Sequence, residues 1–229
     1  MIIKILQGTA EASAAEGLTV VIDVFRAFST ACYLFNAGIE VIYPVEKVED
    51  AVALKQQLPN ALLLGERHEK KVPGFDFGNS PTHIAPLDLK GKSLIMTTSS
   101  GTRGIYNATG ASQIITGSFV NADSIVAYIR REAPEVVSLL CMGYEGHTPT
   151  QEDTFLAQYV AARLEEKEVD FEAMKLALRS GDGARLLDPA NAEWSPASDF
   201  ELCLHLNRFD FVLKLTQMDG INALQPVAI

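Results

Sequence analysis

LIMTTSSGTRGIY, residues 94–106, is the stretch from which the fold can be read. Apolar residues run into a tract of small hydroxylated ones, Gly101 breaks the tract, and a helix-compatible GTRGIYNA follows. That order predicts a buried strand, a tight turn and a helix N-terminus. Free N–H groups there, with the positive end of the helix dipole, suit a bound anion. The hydroxyls of Thr97, Thr98, Ser99, Ser100 and Thr102 add donors, and Arg103 carries a guanidinium fork matched to phosphate. The expectation is a turn that holds a phosphate-like group, with walls, metal and carboxylates supplied by the rest of the chain.

The same unit occurs twice earlier in the chain. LTVVID, residues 18–23, is an apolar run ending on Asp23, and ALLLG, residues 61–65, ends on Glu66 and Arg67. Further strands are predicted at 1–6, 41–45, 113–117, 135–141 and 211–215. Helical stretches fall at 25–37, 46–58, 122–131, 150–167, 171–179 and 197–205. Strands alternating with helices imply an α/β fold, a three-layer α/β/α arrangement with a largely parallel or mixed sheet covered on both faces. No Pro/Gly/Ser-rich linker divides residues 1–229, so a single domain is expected. Residues 68–86 lack a period, but their aromatic side chains argue for an ordered lid or site wall.

Composition narrows the partners. The 229 residues are 48% hydrophobic and 21% charged, as in ordinary soluble proteins. A net charge of −10 without a basic stripe argues against nucleic acid. Cys32, Cys141 and Cys203 are odd in number and far apart, which argues against a disulfide framework or a zinc site. The apolar run at the N-terminus is too short for a signal peptide or a membrane span, so a cytoplasmic protein without membrane contact is expected.

Three apolar strands thus end in Asp23, in Glu66-Arg67 and in the Thr/Ser turn. Lying side by side, they would converge oxygen ligands and cationic donors on one sheet edge, an arrangement suited to Mg²⁺ and a phosphate. Asp23 could equally cap the helix that follows it. TTSSGTRG lacks the lysine of a Walker A loop and is not G-x-G-x-x-G, which leaves an ordinary polar connection as its alternative. Thr150-Gln151-Glu152-Asp153 resembles a capping box, and on spacing alone Glu152 and Asp153 are first-turn helix charges. His83 and His147 are isolated, and Cys141 reads as a buried, inert thiol.

Several stretches taken together resemble the 2-phosphosulfolactate phosphatase (ComB-like) family. They are VVIDVFRAFST at 20–30, GER at 65–67, GFDFGNSP at 74–81 and TTSSGTRG at 97–104, with weaker matches at 117–122, 141–146, 151–153 and 199–211. They come in the family's order and cover most of the chain. The resemblance implies a Mg²⁺-dependent phosphatase acting on a 2-phospho-3-sulfo acid. It also moves Glu152 and Asp153 from helix decoration into the site. Phe25 and Phe28 stand where the family often has Leu and Thr, and Ser100 where it often has Asn.

On this basis Asp23, Glu66 and Asp153 are expected to hold Mg²⁺. Asp23, Arg26, Glu152 and Asp153 carry catalysis, with Glu152 or Asp153 activating water. Arg67, Asn79, Ser80, Thr98, Ser99, Ser100, Gly101, Thr102 and Arg103 contact the small phosphorylated acid. A covalent phosphate on Asp23 is the weaker route because Phe25 occupies the third position of a D-x-D. The rival reading is a non-catalytic binding protein for a phosphorylated or sulfonated anion. Assembly into a homo-oligomer is left open.

Overall fold

A computed structural model describes residues 1–229. Ten strands form one mixed sheet: β1 (Ile2–Gln7), β2 (Gly17–Ile22), β3 (Val41–Pro44), β4 (Leu62–Arg67), β5 (Lys70–Lys71), β6 (Ser93–Thr97), β7 (Ala111–Gly117), β8 (Val136–Cys141), β9 (Phe211–Met218) and β10 (Ile221–Ala228). Nine helices accompany them: α1 (Gly8–Ala12), α2 (Ala27–Asn36), α3 (Val48–Gln57), α4 (Pro81–Ile84), α5 (Gly101–Asn107), α6 (Ala122–Glu132), α7 (Gln151–Leu164), α8 (Phe171–Ser180) and α9 (Ser198–Cys203). The strand order is β1-β8-β2-β7-β9-β10-β3-β6-β4-β5.

The sheet is two parallel blocks joined by an antiparallel hairpin. β1, β8, β2 and β7 run parallel, as do β3, β6 and β4, and β9-β10 lies between the blocks, antiparallel to both. The sequence pattern locates β9 at its start, but INALQPVA at 221–228 has too weak an alternation to announce β10.

β4 and β6 are neighbours, but β2 lies across the hairpin in the other block, so the three strands that end in polar residues are not side by side. Three antiparallel pairings separate β2 from β4, and a flat sheet would send their carboxyl ends to opposite edges. Twist resolves the conflict. At about 20–25° per step, the six steps from β2 to β4 rotate one strand against the other by roughly 120–150°, which brings the two carboxyl ends round toward the same side.

The hairpin meets β7 over two residue pairs and β3 over one, which leaves the sheet free to bend there. It bends around α2. One core cluster joins Val21 and Leu140 of the first block, Leu64 and Met96 of the second, and Ala27, Phe28 and Ala31 of α2. The opposite face of the first block packs on α6, α7 and α8 through residues such as Ile125, Leu156 and Leu178, and that of the second on α3 through Ala51 and Leu54. Both faces are therefore covered, as the near-continuous apolar strands require. No helix is long and apolar enough to cross a membrane.

Candidate active site

The carboxyl ends of β2, β4, β6 and β8 enclose a narrow cleft lined by Asp23, Phe25, Arg26, Glu66, Glu69, Asn79, Ser99, Ser100 and the 143–145 loop. Its cavity volume is about 30 Å³. So small a space lies well below the size of drug-sized ligand pockets and suits only a compact anion.

Asp23 follows β2 directly and is 6% exposed. Its Oδ1 accepts the N–H of Ala27 at 3.0 Å, so it does cap α2 as well as face the cleft. Burial, then the like charges of Glu66 and Glu152, push its pKa from 3.8 up to about 7, against stabilising N–H groups of Ala27 and Gly101. Glu66 is held on all sides: Oε1 accepts Ser99 N at 2.7 Å, and Oε2 accepts Ser99 Oγ at 3.1 Å and Glu69 N at 3.0 Å.

The 97–104 turn spends part of its donor capacity on the protein's own groups. Four of its N–H groups already have partners: Ser99 N donates to Glu66, Thr98 N and Thr102 N each donate to the other's hydroxyl, and Gly101 N–H faces Asp23. The anions at this helix end are the protein's own carboxylates, and the turn holds them in place. Ser99 and Ser100 line the cleft, whereas Thr98, Thr102 and Arg103 do not.

Gly101 is required by close approach. A Cβ there would lie 2.8 Å from Ala27 Cβ, 2.9 Å from Asp23 Oδ2 and 3.1 Å from Phe28 Cζ. Gly101→Ala is expected to cost about 1–3 kcal/mol by overpacking. With roughly 2–4 °C per kcal/mol at this chain length, a thermal melt will read the loss.

Arg26 projects into the cleft wall from a fixed base. Its Nη1 donates to Asp199 Oδ2 at 2.6 Å and to the Trp194 carbonyl at 2.8 Å, and the pair is 3% and 0% exposed. Asp199 Oδ1 in turn accepts from Ser80 Oγ at 2.8 Å and Thr82 N at 2.9 Å. Ser80 is therefore a buried support for Asp199 and not part of the cleft lining, while its neighbour Asn79 lines the cleft with its Oδ1 buried and unpartnered.

Glu152 and Asp153 begin α7 but divide their tasks. Asp153 Oδ1 accepts Val24 N and Oδ2 accepts Gly143 N, each at 2.8 Å, which ties the end of β2 to the loop after β8. Burial and the nearby Asp23 and Glu152 raise its pKa. The capping box does not form: Thr150 makes no side-chain cap, and Asp182 Oδ2 accepts Gln151 N at 2.7 Å instead. Tertiary amides outcompete the local ones for Asp153. Glu152 Oε1 accepts Arg185 Nη2 at 2.9 Å, and its Oε2 is buried without a partner.

Arg185 had no signal in the sequence. Its Nε donates to Glu69 Oε1 at 3.0 Å, and its guanidinium lies 5.7 Å from the Phe25 ring centroid. Glu152 and Glu69 together outweigh burial and raise its pKa. Asp199 was also unassigned, since nothing in its spacing points to Arg26. Arg67 turns away from the cleft, donating to the carbonyls of Glu66 and Glu46 and to Thr97 Oγ1. All three cysteines are free and buried, and burial raises each thiol pKa.

The donor set fits a hard divalent cation. Glu152 Oε2 and Asn79 Oδ1 are buried oxygens without a partner, and the charges of Glu66 and Glu152 disfavour ionised Asp23. No group of three or more His, Cys, Asp or Glu side chains forms a ready metal cage. Mg²⁺ does not need one, because it binds through one or two carboxylates and keeps water and phosphate in its remaining positions.

Strand ends that gather carboxylates, hydroxyls and an anchored guanidinium around so small a cleft define an α/β enzyme for compact anions. Comparison with known sequences gives the family: the 2-phosphosulpholactate phosphatase model matches residues 4–218, and the chain belongs to this family of phosphomonoester hydrolases. It is 35% identical over 215 residues to a protein of Carboxydothermus hydrogenoformans named probable 2-phosphosulfolactate phosphatase, covering 87% of each chain. A protein of Caldanaerobacter subterraneus subsp. tengcongensis with the same name is 33% identical over 216 residues, covering 86% of each. A third so named, from Parasynechococcus marenigrum, is 36% identical over 157 residues, 68% of this chain and 64% of the relative.

Proposed function

We propose that this chain is a Mg²⁺-dependent phosphatase that converts a small 2-phospho acid, 2-phosphosulfolactate or a close relative, to the 2-hydroxy acid and phosphate. The observation that carries this reading is the buried carboxylate group around Asp23, facing Arg26 across a cleft of compact-anion size, in a member of this family. Asp23 and Glu66 would hold the metal, with the free oxygen of Glu152 within electrostatic reach. Bound Mg²⁺ would offset the charge of the phosphate and make its phosphorus more electrophilic.

The chain's own groups do the rest. Arg26, anchored on Asp199, presents its remaining N–H groups to the carboxylate or sulfonate of the substrate. Ser99, Ser100 and Asn79 orient the phosphate. Glu152, whose Oε2 has no other partner, orients and deprotonates the attacking water. Asp153 positions the loops around it, because both its oxygens are engaged by backbone N–H groups.

The test is phosphate release from 2-phosphosulfolactate beside a panel of other 2-phospho acids, with Mg²⁺ and with excess chelator. Release that needs Mg²⁺ is expected. Thermal protection by these anions without any release would instead identify a non-catalytic binding protein.

The metal-free protein should also carry a pH signature. The folded-state pKa of Asp23 lies above its unfolded value, so the stability linked to its proton is present below about pH 4 and lost as pH rises through about 7. Mg²⁺ competes with that proton. The rise in melting temperature on adding Mg²⁺ should therefore be larger near pH 8 than near about pH 5, and scanning calorimetry at both values checks it.

A further inference from the structure

A second cavity, of about 530 Å³, shares no lining residue with the cleft and holds the two arginines that the turn and the GER motif were expected to bring to the substrate. Burial lowers the pKa of Arg67, the nearby Arg103 adds a smaller push the same way, and the charges of Glu66 and Glu49 oppose them. Neither forms an ion pair. Arg67 donates to the carbonyls of Glu66 at 2.6 Å, Glu46 at 3.3 Å and Thr97 at 3.4 Å, and to Thr97 Oγ1 at 2.9 Å. Arg103 reaches only the carbonyls of Glu145 at 3.3 Å and Ser99 at 3.5 Å, both long for a guanidinium bond. Lys47 lines the same wall, and its ammonium makes neither a hydrogen bond nor an ion pair.

Two acids face them. Glu46 Oε1 accepts Asn107 Nδ2 at 3.4 Å, and Glu49 acts on Arg67 through space without touching it. The lining carries three cations and two carboxylates, and Glu66 acts on Arg67 from the cleft side, so the wall is far less acidic than a chain of net charge −10 would suggest. Half-buried guanidiniums held by carbonyls and one hydroxyl, without an ion pair, keep much of their charge, and their planar forks match the faces of a tetrahedral oxyanion.

We infer that this cavity is a second anion site, in which Arg67, Arg103 and Lys47 bind a compact tetrahedral oxyanion of the phosphate, sulfate or sulfonate class. Its occupancy is felt in the cleft. Arg67 holds the carbonyl of Glu66 and Arg103 those of Ser99 and Glu145, so an anion that draws either guanidinium toward itself loosens the backbone of cleft residues. The site stands on these contacts, independently of whether the cleft hydrolyses phosphoesters.

The experiment is calorimetric titration of the full chain, in excess chelator and low salt, with inorganic phosphate, sulfate and methanesulfonate in separate runs. Saturable binding at one site below about 10 mM is expected for at least one of them, and the order among the three identifies the source it suits. The double variant Arg67→Gln/Arg103→Gln should weaken binding about tenfold or more, Lys47→Gln severalfold, and Asp23→Asn not at all. Should the double variant fail to fold, Lys47→Glu carries the test, because Lys47 supports no other residue. Absence of saturable binding, equal affinity in the charge variants, or loss of binding in Asp23→Asn would overturn the assignment.

Discussion

Asp23→Asn should lower phosphate release by about a hundred- to a thousandfold or more while leaving the fold intact. The substitution keeps the volume and an oxygen to accept the Ala27 N–H, so the start of α2 is preserved. What disappears is the charge at the end of β2 that would meet the metal. Stability in chelator should change little, because two effects oppose. Removing a buried charge relieves desolvation and the repulsion from Glu66 and Glu152, while the new amide NH₂ confronts the Gly101 N–H. Steady-state phosphate release together with a thermal melt separates the two effects. Retained activity would remove Asp23 from the chemistry, and a collapsed melt would make it a structural residue.

The second large effect belongs to Asp199. Asp199→Ala leaves the guanidinium of Arg26 buried with only carbonyl oxygens, and breaking a buried pair from one side costs about 3–5 kcal/mol. Ser80 Oγ and Thr82 N lose their acceptor in the same step. The melting temperature should fall by about 10 °C. The double variant Arg26→Met/Asp199→Leu should recover much of that stability, since apolar replacement of a whole buried pair is often neutral. It should not recover activity, because Arg26 is the guanidinium fixed in the cleft wall. A double variant as unstable as the single one would place the cost in the Ser80 and Thr82 bonds.

Much of this architecture was legible in the chain. VVID, LLLG and LIMT announce buried strands by their apolar runs, and polar residues at their ends mark the sheet edge where a site forms. What pattern could not supply was the hairpin between the blocks, whose second strand has weak alternation, and hence the twist that brings Asp23 to Glu66. Spacing also gave no means of choosing among arginines. Arg26, Arg67 and Arg103 look alike as cations near strand ends, yet distant Asp199 fixes the first and local carbonyls turn the other two away. Arg185 sits in a 3-10 segment without periodicity, so its place between Glu69 and Glu152 emerges only from the fold.

The central claim is that the carboxylates around Asp23 hold a divalent cation able to bridge to a phosphate. Anomalous scattering from crystals soaked in Mn²⁺, a stand-in for Mg²⁺ visible to X-rays, with phosphate present, tests it most directly. The expected map has one strong peak within bonding distance of Asp23, flanked by density for the phosphate at Ser99 and Ser100. A peak elsewhere, or none in a well-ordered crystal, would contradict it.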